Sequence, residues 1–340
     1  MLVKSFYDIF SNRQGSVNMK ALLLAVALVI LAIGNALAQA YPSRPITLVV
    51  PVAAGGSVDT IARLLSERIK AQLGQPVIVE NVTGAGGSIG VARAARAVPD
   101  GYSLSIGNWT THVGASAVYR VSYDVLKDFE PVSRLTDTSM LIVGRNGLPA
   151  KDIEELIVWL KANPDKASAA TIGIGSPAHL CGIDFQNKTG TRFGFVPYRG
   201  GAPAIQDLVA GQVDLFCGEA SNILPHVRSG TIRAYAVASK SRWFAAPDIV
   251  TTIEAGVHGM DIPFWHGIWA PKGTPKEVVA LLHAAVADAF AEPALRQRLA
   301  ELGHEIPSAQ QRTPAAFGAF HKAEIDKWWP IIRAAGIKAE

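Results

Sequence analysis

Charge is scarce in this chain and nowhere concentrated. Only 18% of its 340 residues are charged, the formal net charge is +4, and no cluster of Lys and Arg is interleaved with aromatics. That excludes the electrostatic footprint of a nucleic-acid binder, because scattered basic residues read as a solvated surface. Metal-ligand signatures are missing too: eight histidines include no H-x-x-x-H pair, and two cysteines have no zinc-ligand spacing. No metal and no cofactor are expected. Low-complexity stretches are absent, and 49% hydrophobic residues in a chain of this length suffice for two globular domains. A membrane-spanning run is also lacking. The apolar stretch from Ala21 to Ile33 falls short of the roughly 20 residues that a bilayer core needs.

That short run is informative in its own right. Lys20 precedes it, Gly34 follows, and Ala38-Gln39-Ala40 supplies a small-residue cleavage pattern, which together read as a secretory signal peptide over residues 1–40. The mature chain is expected to start at Tyr41, whether translation begins at Met1 or Met19. No Cys follows the cleavage site, so no lipid anchor is expected. Export gives Cys181 and Cys217 an oxidising compartment, where they are either a disulfide or two buried thiols.

The rest is organised around residues 51–90. Two glycine-rich turns, PVAAGGSVDT and NVTGAGGSIG, each follow a short apolar run and open a helical pattern. In the first, ITLVV ends at Pro51, Gly55 and Gly56 free the backbone from side-chain sterics, and Ser57 is placed to cap a helix from about Asp59 to Leu73. In the second, VIVE gives way at Asn81, and Gly84, Gly86 and Gly87 precede the helix SIGVARAARAV. Two helix N-termini at one edge of a parallel sheet turn unpaired N–H groups and positive dipole ends into a cleft, which suits a small organic anion.

Strands ITLVV, VIVE and YSLSI alternate with these helices as a βαβαβ unit. The polar stretch after the third strand makes Trp109, Thr110, Thr111 and His112 candidates to line the cleft, since ligands sit at the carboxyl ends of strands in open α/β sheets. DFEPVSRL then leads to the strand MLIVGR, and a second α/β unit of the same construction follows, with Gly-rich turns at GIGSPAHL and RGGAP. WHGIWAP is another strand, and the remainder is helical. The first unit needs the C-terminal helices to be complete. The expected molecule is therefore segmental, with residues 41–140 and 266–340 in one domain, 141–265 in the other, two crossing strands as hinge, and ligand held between.

Over essentially the whole mature chain, YPSRPITLVVPVAAGGSVDTIAR, ENVTGAGGSIG, PDGYSL, GIGSPAHL, VPYRGGAPAIQDLVAGQVDL and WAPKGTPKEVV resemble the substrate-binding receptors of tripartite tricarboxylate transporters, the Bug family. The resemblance implies a two-domain class II periplasmic binding protein of the Venus flytrap type, each domain a mostly parallel sheet flanked by helices. It implies a monomeric receptor that hands a small carboxylate to a membrane permease. It also places Gly56, Ser57, Asp59, Gly86, Gly87, Ser88, Ser176, His179, Tyr198, Gly200 and Gly201 at the ligand. The stretch Cys217-Gly218-Glu219-Ala220 departs from the acidic or amide pair common in the family. Together with Trp109 to His112 it is expected to meet the ligand's distal end, which leaves a dicarboxylate or, with Trp109, Trp265 and Trp269 nearby, an aromatic acid.

For Asp59 a loop-ordering role is expected, because it would repel a bare carboxylate; His179 has an equal reading as a satisfied structural histidine. Two other functions, a secreted serine hydrolase using Ser88 or Ser176 and a ligand-presenting sensor subunit, fit less of the sequence. GGSIG matches G-x-S-x-G around Ser88, but VIVE ends well before that serine, so a nucleophile elbow does not form. A ligand-presenting sensor subunit would share this sequence and differ only in partner.

Overall fold

The run Ile46–Val50 forms β1, buried along nearly all its length, and it sets the frame for the first of two sheets. The computed structural model describes residues 41–338 apart from 263 and 335, so the signal segment over residues 1–40 lies outside the described residues. Strands β2 (Val77–Asn81), β3 (Ser103–Asn108), β4 (Phe129–Thr138), β5 (Met140–Arg145), β6 (Ser168–Thr171), β7 (Gly194–Pro197), β8 (Leu215–Glu219), β9 (Ile232–Val237) and β10 (Phe264–Pro271) follow in order.

The first sheet runs β2-β1-β3-β10-β4 and the second β7-β6-β8-β5-β9. In each, one strand opposes its neighbours: β10 is antiparallel to β3 and β4, and β5 to β8 and β9, so the other four point one way. Both sheets are therefore mixed, with the same spatial order. The chain passes from the first to the second with only Ser139 between Thr138 and Met140, and rejoins the first at Phe264. This is a two-domain α/β fold.

DFEPVSRL, which carried no strand expectation, supplies most of β4. Its Pro131 has no N–H for a ladder, but β4 is an edge strand, where that donor is not needed, and Pro131 faces Trp269 in the register. The core of this half is aromatic. Trp109, Trp265 and Trp269 are at most 1% exposed, and the long helix Pro314–Ala334 covers them with Phe317, His321 and Glu324. Glu324 accepts a hydrogen bond from the indole N–H of both Trp109 and Trp265, at 3.1 Å each, which satisfies three buried polar groups at once.

In the second half, Cys181 on the helix Pro177–Thr189 and Cys217 on β8 are disulfide-bonded, with Cα atoms 6.2 Å apart. Of the two readings open to these cysteines, the structure takes the bridge. It fastens a helix to the middle strand of the sheet.

Candidate functional site

Three helices begin at a glycine on the cleft between the sheets. Ser57–Leu73 has Gly56 at its N-cap, Ser88–Ala95 has Gly87 and Gly201–Val209 has Gly200; in none does a side chain cap the end. Asp152 and Ser176, by contrast, cap their own helices by accepting from the N–H of Glu155 and His179. A glycine N-cap leaves first-turn N–H groups to be satisfied from outside the helix, and the dipole favours an anion there. The second end is partly closed on itself, because Gly87 N–H donates to Gly84 O at 2.9 Å.

Gly56, Gly87 and Gly200 all line the cleft. Two adjoining cavities share Val52, Ala53, Asn108, Ile172 and Gly200, so they form one space, the larger part measuring about 590 Å³. That is within the roughly 300–1,000 Å³ usual for small-molecule sites. The larger part is walled by Gly84 to Gly87, Thr110, Tyr119, Tyr198 and Arg199; the smaller by Ser57, Asn222, Glu219 and apolar groups including Met140, Phe216 and Phe264. The Thr110 hydroxyl is buried without a protein hydrogen-bond partner. Tyr198 donates to Asp207 at 2.7 Å, and burial together with that bond pushes its phenol up to about 12.

Of the residues expected at the ligand, Gly56, Ser57, Gly86, Gly87, Thr110, Tyr198, Gly200, Gly201 and Glu219 line this space. Gly55 lies on the exposed loop beside it. Asp59, Ser88, Trp109, His112, Ser176 and His179 do not line it, each for a local reason. His112 lies on the turn Thr110–Gly114, whose wide helical winding sends it into the core, where it stacks on Trp269 at 3.7 Å. Trp109 is occupied by Glu324, and Ser88 is buried in the first turn of its own helix. Ser176 is the cap just described, and His179 Nδ1 accepts from Gly175 N–H at 3.1 Å. With all three tryptophans in the core, the argument for an aromatic acid falls away.

Asp59 orders the loops. Its carboxylate accepts from Gly55 N–H at 3.0 Å, from Arg63 at 2.9 Å and from Asn81 at 3.0 Å, while Asn81 also donates to Val52 O at 3.1 Å. The first loop is thus tied to the end of β2. Burial raises the Asp59 carboxyl, but the bonds from Arg63, Gly55 and Asn81 outweigh it and hold the group below its ordinary value. A depressed carboxyl contributes stability that is present above its unfolded value and is lost as pH falls through the folded one. Asp59→Ala should cost about 2 kcal/mol and weaken ligand binding about tenfold, because three donors lose this partner. Equal melting temperatures for the variant and the wild type at pH 7 would refute this role.

Ser57 does not cap its helix. Its hydroxyl instead donates across the cleft to Glu219 Oε2, and Glu219 also accepts from Ser221 at 2.9 Å and Asn222 at 3.2 Å. Behind Ser57 lies a buried relay that the sequence did not disclose. His266 Nε2 is 3.2 Å from Ser57 Oγ, His266 Nδ1 is 3.0 Å from Thr136 Oγ1, and His304 Nδ1 is 3.4 Å from the same hydroxyl. One proton assignment satisfies the chain: His304 donates to Thr136, Thr136 to His266, His266 to Ser57, and Ser57 to Glu219. Glu219, His266 and His304 each bring one donor atom to within 4.8 Å of the others, from three elements far apart in sequence. Hydrogen bonds occupy those atoms here, so they are read as a relay rather than as metal ligands. Burial, with His304 adjacent, holds His266 well below its ordinary value, and burial holds His304 at about 4, while it raises Glu219 to about 7.

Two mixed sheets around a ligand-sized cleft, entered by open helix ends, make this a solute-binding molecule of the periplasmic-binding-protein class. Residues 61–337 match the model of the "Tripartite tricarboxylate transporter family receptor", and the chain belongs to that family. The periplasmic binding protein BugD is similar at 39% identity with a TM-score of 0.82, over 88% of this chain and 100% of that one. MatC from Rhodopseudomonas palustris, solved with bound malate, is 37% identical with a TM-score of 0.81, covering 86% and 100%. Rpa4515 of R. palustris, solved with adipate, is 32% identical with a TM-score of 0.83, covering 88% and 99%. The family is one of periplasmic solute-binding receptors, not of enzymes.

Proposed function

We propose that the chain is exported, loses residues 1–40, and works in the periplasm as a monomeric receptor that captures a small carboxylate between its two halves. It then delivers the ligand to a tripartite tricarboxylate-type permease. The observation that carries this reading is the set of three glycine N-caps, at Gly56, Gly87 and Gly200, which open uncapped helix ends on one cleft. Anion capture by such ends needs no buried cation. The malate and adipate bound by two relatives support a carboxylate as the ligand. Residues 41–140 with 266–340, and 141–265, are the two lobes in this reading. Closure is a hinge motion at the two crossings, around Ser139 and before Phe264, that shuts the ligand away from water.

The test is a thermal-shift screen of the protein from Tyr41 onward, stripped by denaturation and refolding, against di- and tricarboxylates, amino acids and sugars. A ligand bound by the folded state alone raises the melting temperature by mass action, by an amount equivalent to about 2.7 kcal/mol at a hundredfold excess over Kd. Stabilisation by acids and not by sugars is the expected result. Stabilisation by sugars alone would overturn the reading.

A further inference from the structure

The cleft is asymmetric in charge. Among the described residues lining it, Glu219 is the one acidic side chain and Arg199 the one basic side chain, and they line different parts of it, Glu219 the smaller and Arg199 the larger. Among the described residues, no Lys or Arg lines the part that holds Glu219. The groups that face its carboxyl are Ser57 from the start of the helix Ser57–Leu73, Ser221 and Asn222 from the helix Ala220–Arg228 that follows β8, and His266 from β10, with His304 beyond. Both histidines are neutral at physiological pH because they are buried. Among the described residues an ionised Glu219 therefore has hydrogen-bond donors but no cation, and its positive partners are helix ends, at Gly56, at Gly200 and at the start of the helix Ala220–Arg228. The end at Gly56 is also one that a ligand carboxylate would use.

Acceptor counting points the same way. A carboxylate offers about four lone-pair sites. Ser57, Asn222 and Ser221 fill three; the fourth, on Oε1, has only His266 Nε2 at 3.4 Å, and that nitrogen already engages Ser57. One acceptor site is left without a close donor, and the carboxylate without a countercharge. A second carboxylate placed there would meet like charge, whereas an ammonium would supply both.

We propose that Glu219 is the specificity-determining residue of this cleft, and that it selects a ligand carrying a primary ammonium at the end opposite its carboxylate over a dicarboxylate of equal length. This rests on the carboxylate-receptor reading and names the class of its ligand, an aminocarboxylate. Dicarboxylates enter when Glu219 is protonated and can donate to them.

The experiment is calorimetric titration of the stripped protein with three matched pairs: succinate and 3-aminopropionate, glutarate and 4-aminobutyrate, adipate and 5-aminopentanoate. Each is run at pH 8 and pH 6 for the wild type and Glu219→Gln, with circular dichroism confirming that the variant folds. At pH 8 the wild type should prefer the ammonium member of at least one pair about tenfold or more, a difference of about 1.4 kcal/mol. Its affinity for the dicarboxylates should rise as pH falls through about 7, where Glu219 gains its proton, since neither His266 nor His304 titrates in that interval. In Glu219→Gln the preference should vanish or reverse, and the pH dependence should flatten. Dicarboxylates bound at pH 8 as tightly as their partners, or a preference unchanged in the variant, would overturn the proposal and leave the receptor reading standing. No binding of any of the six would overturn this ligand class, and the receptor reading with it if the broader acid screen were blank as well.

Discussion

Gly87→Val is expected to lose about 100-fold or more in carboxylate affinity, while Arg199→Ala loses about fivefold or less. Gly87 has φ +95°, a region that a β-branched residue enters only under strain. A Cβ there would stand 2.6 Å from Thr111 Cγ2 and 3.0 Å from Pro51 O, so the first and second loops would have to part. Those loops form the wall on which the helix ends are mounted, and displacing them removes several charge-assisted hydrogen bonds together. Arg199, by contrast, is exposed and makes no ion pair among the described residues, so solvent screens whatever attraction it offers. Titration of both variants with one bound acid checks the order. A larger loss for Arg199→Ala, with Gly87→Val folded and binding, would mean that a side-chain cation and not the backbone captures the ligand.

The second large effect belongs to the disulfide. Cys181 and Cys217 are separated by 36 residues, and closing a loop of that length removes denatured-state entropy equivalent to about 4 kcal/mol in the chain-entropy account. The double substitution Cys181→Ala with Cys217→Ala should lower the melting temperature by roughly 5–10 °C. Reductant should lower the wild type to a similar degree and leave the variant unmoved. Melting temperatures that agree within a degree in oxidised and reduced wild type would show that the bridge contributes nothing to stability.

Much of this molecule was legible because its signals are local. Glycines at strand ends, Pro177 at a helix start and the apolar runs of β1 and β2 act within a few residues, and the helices and strands formed where those signals stood. The cleft glycines followed for the same reason: a backbone that opens a helix at a sheet edge has one place to point. What stayed hidden depends on neighbours remote in sequence. The place of Trp109 and His112 after β3 points toward the cleft, but the direction of a side chain at the turn Thr110–Gly114 is set by its winding and by Trp269 and Glu324. Ser57 carries the signature of a helix cap, and nothing near it in sequence signals that its partner is Glu219, 162 residues on. His266, Thr136 and His304 likewise meet through three elements that no spacing rule connects.

The placement of β10 also governs the order in which this chain can become whole. The second sheet is built from residues 140–237 without interruption, so all of its strands exist once that stretch has been made. The first sheet carries β10 in its interior, between β3 and β4. No fragment that stops short of Phe264 can contain it entire. On a polypeptide synthesised from its N-terminus, the half that begins first is therefore the half that is finished last.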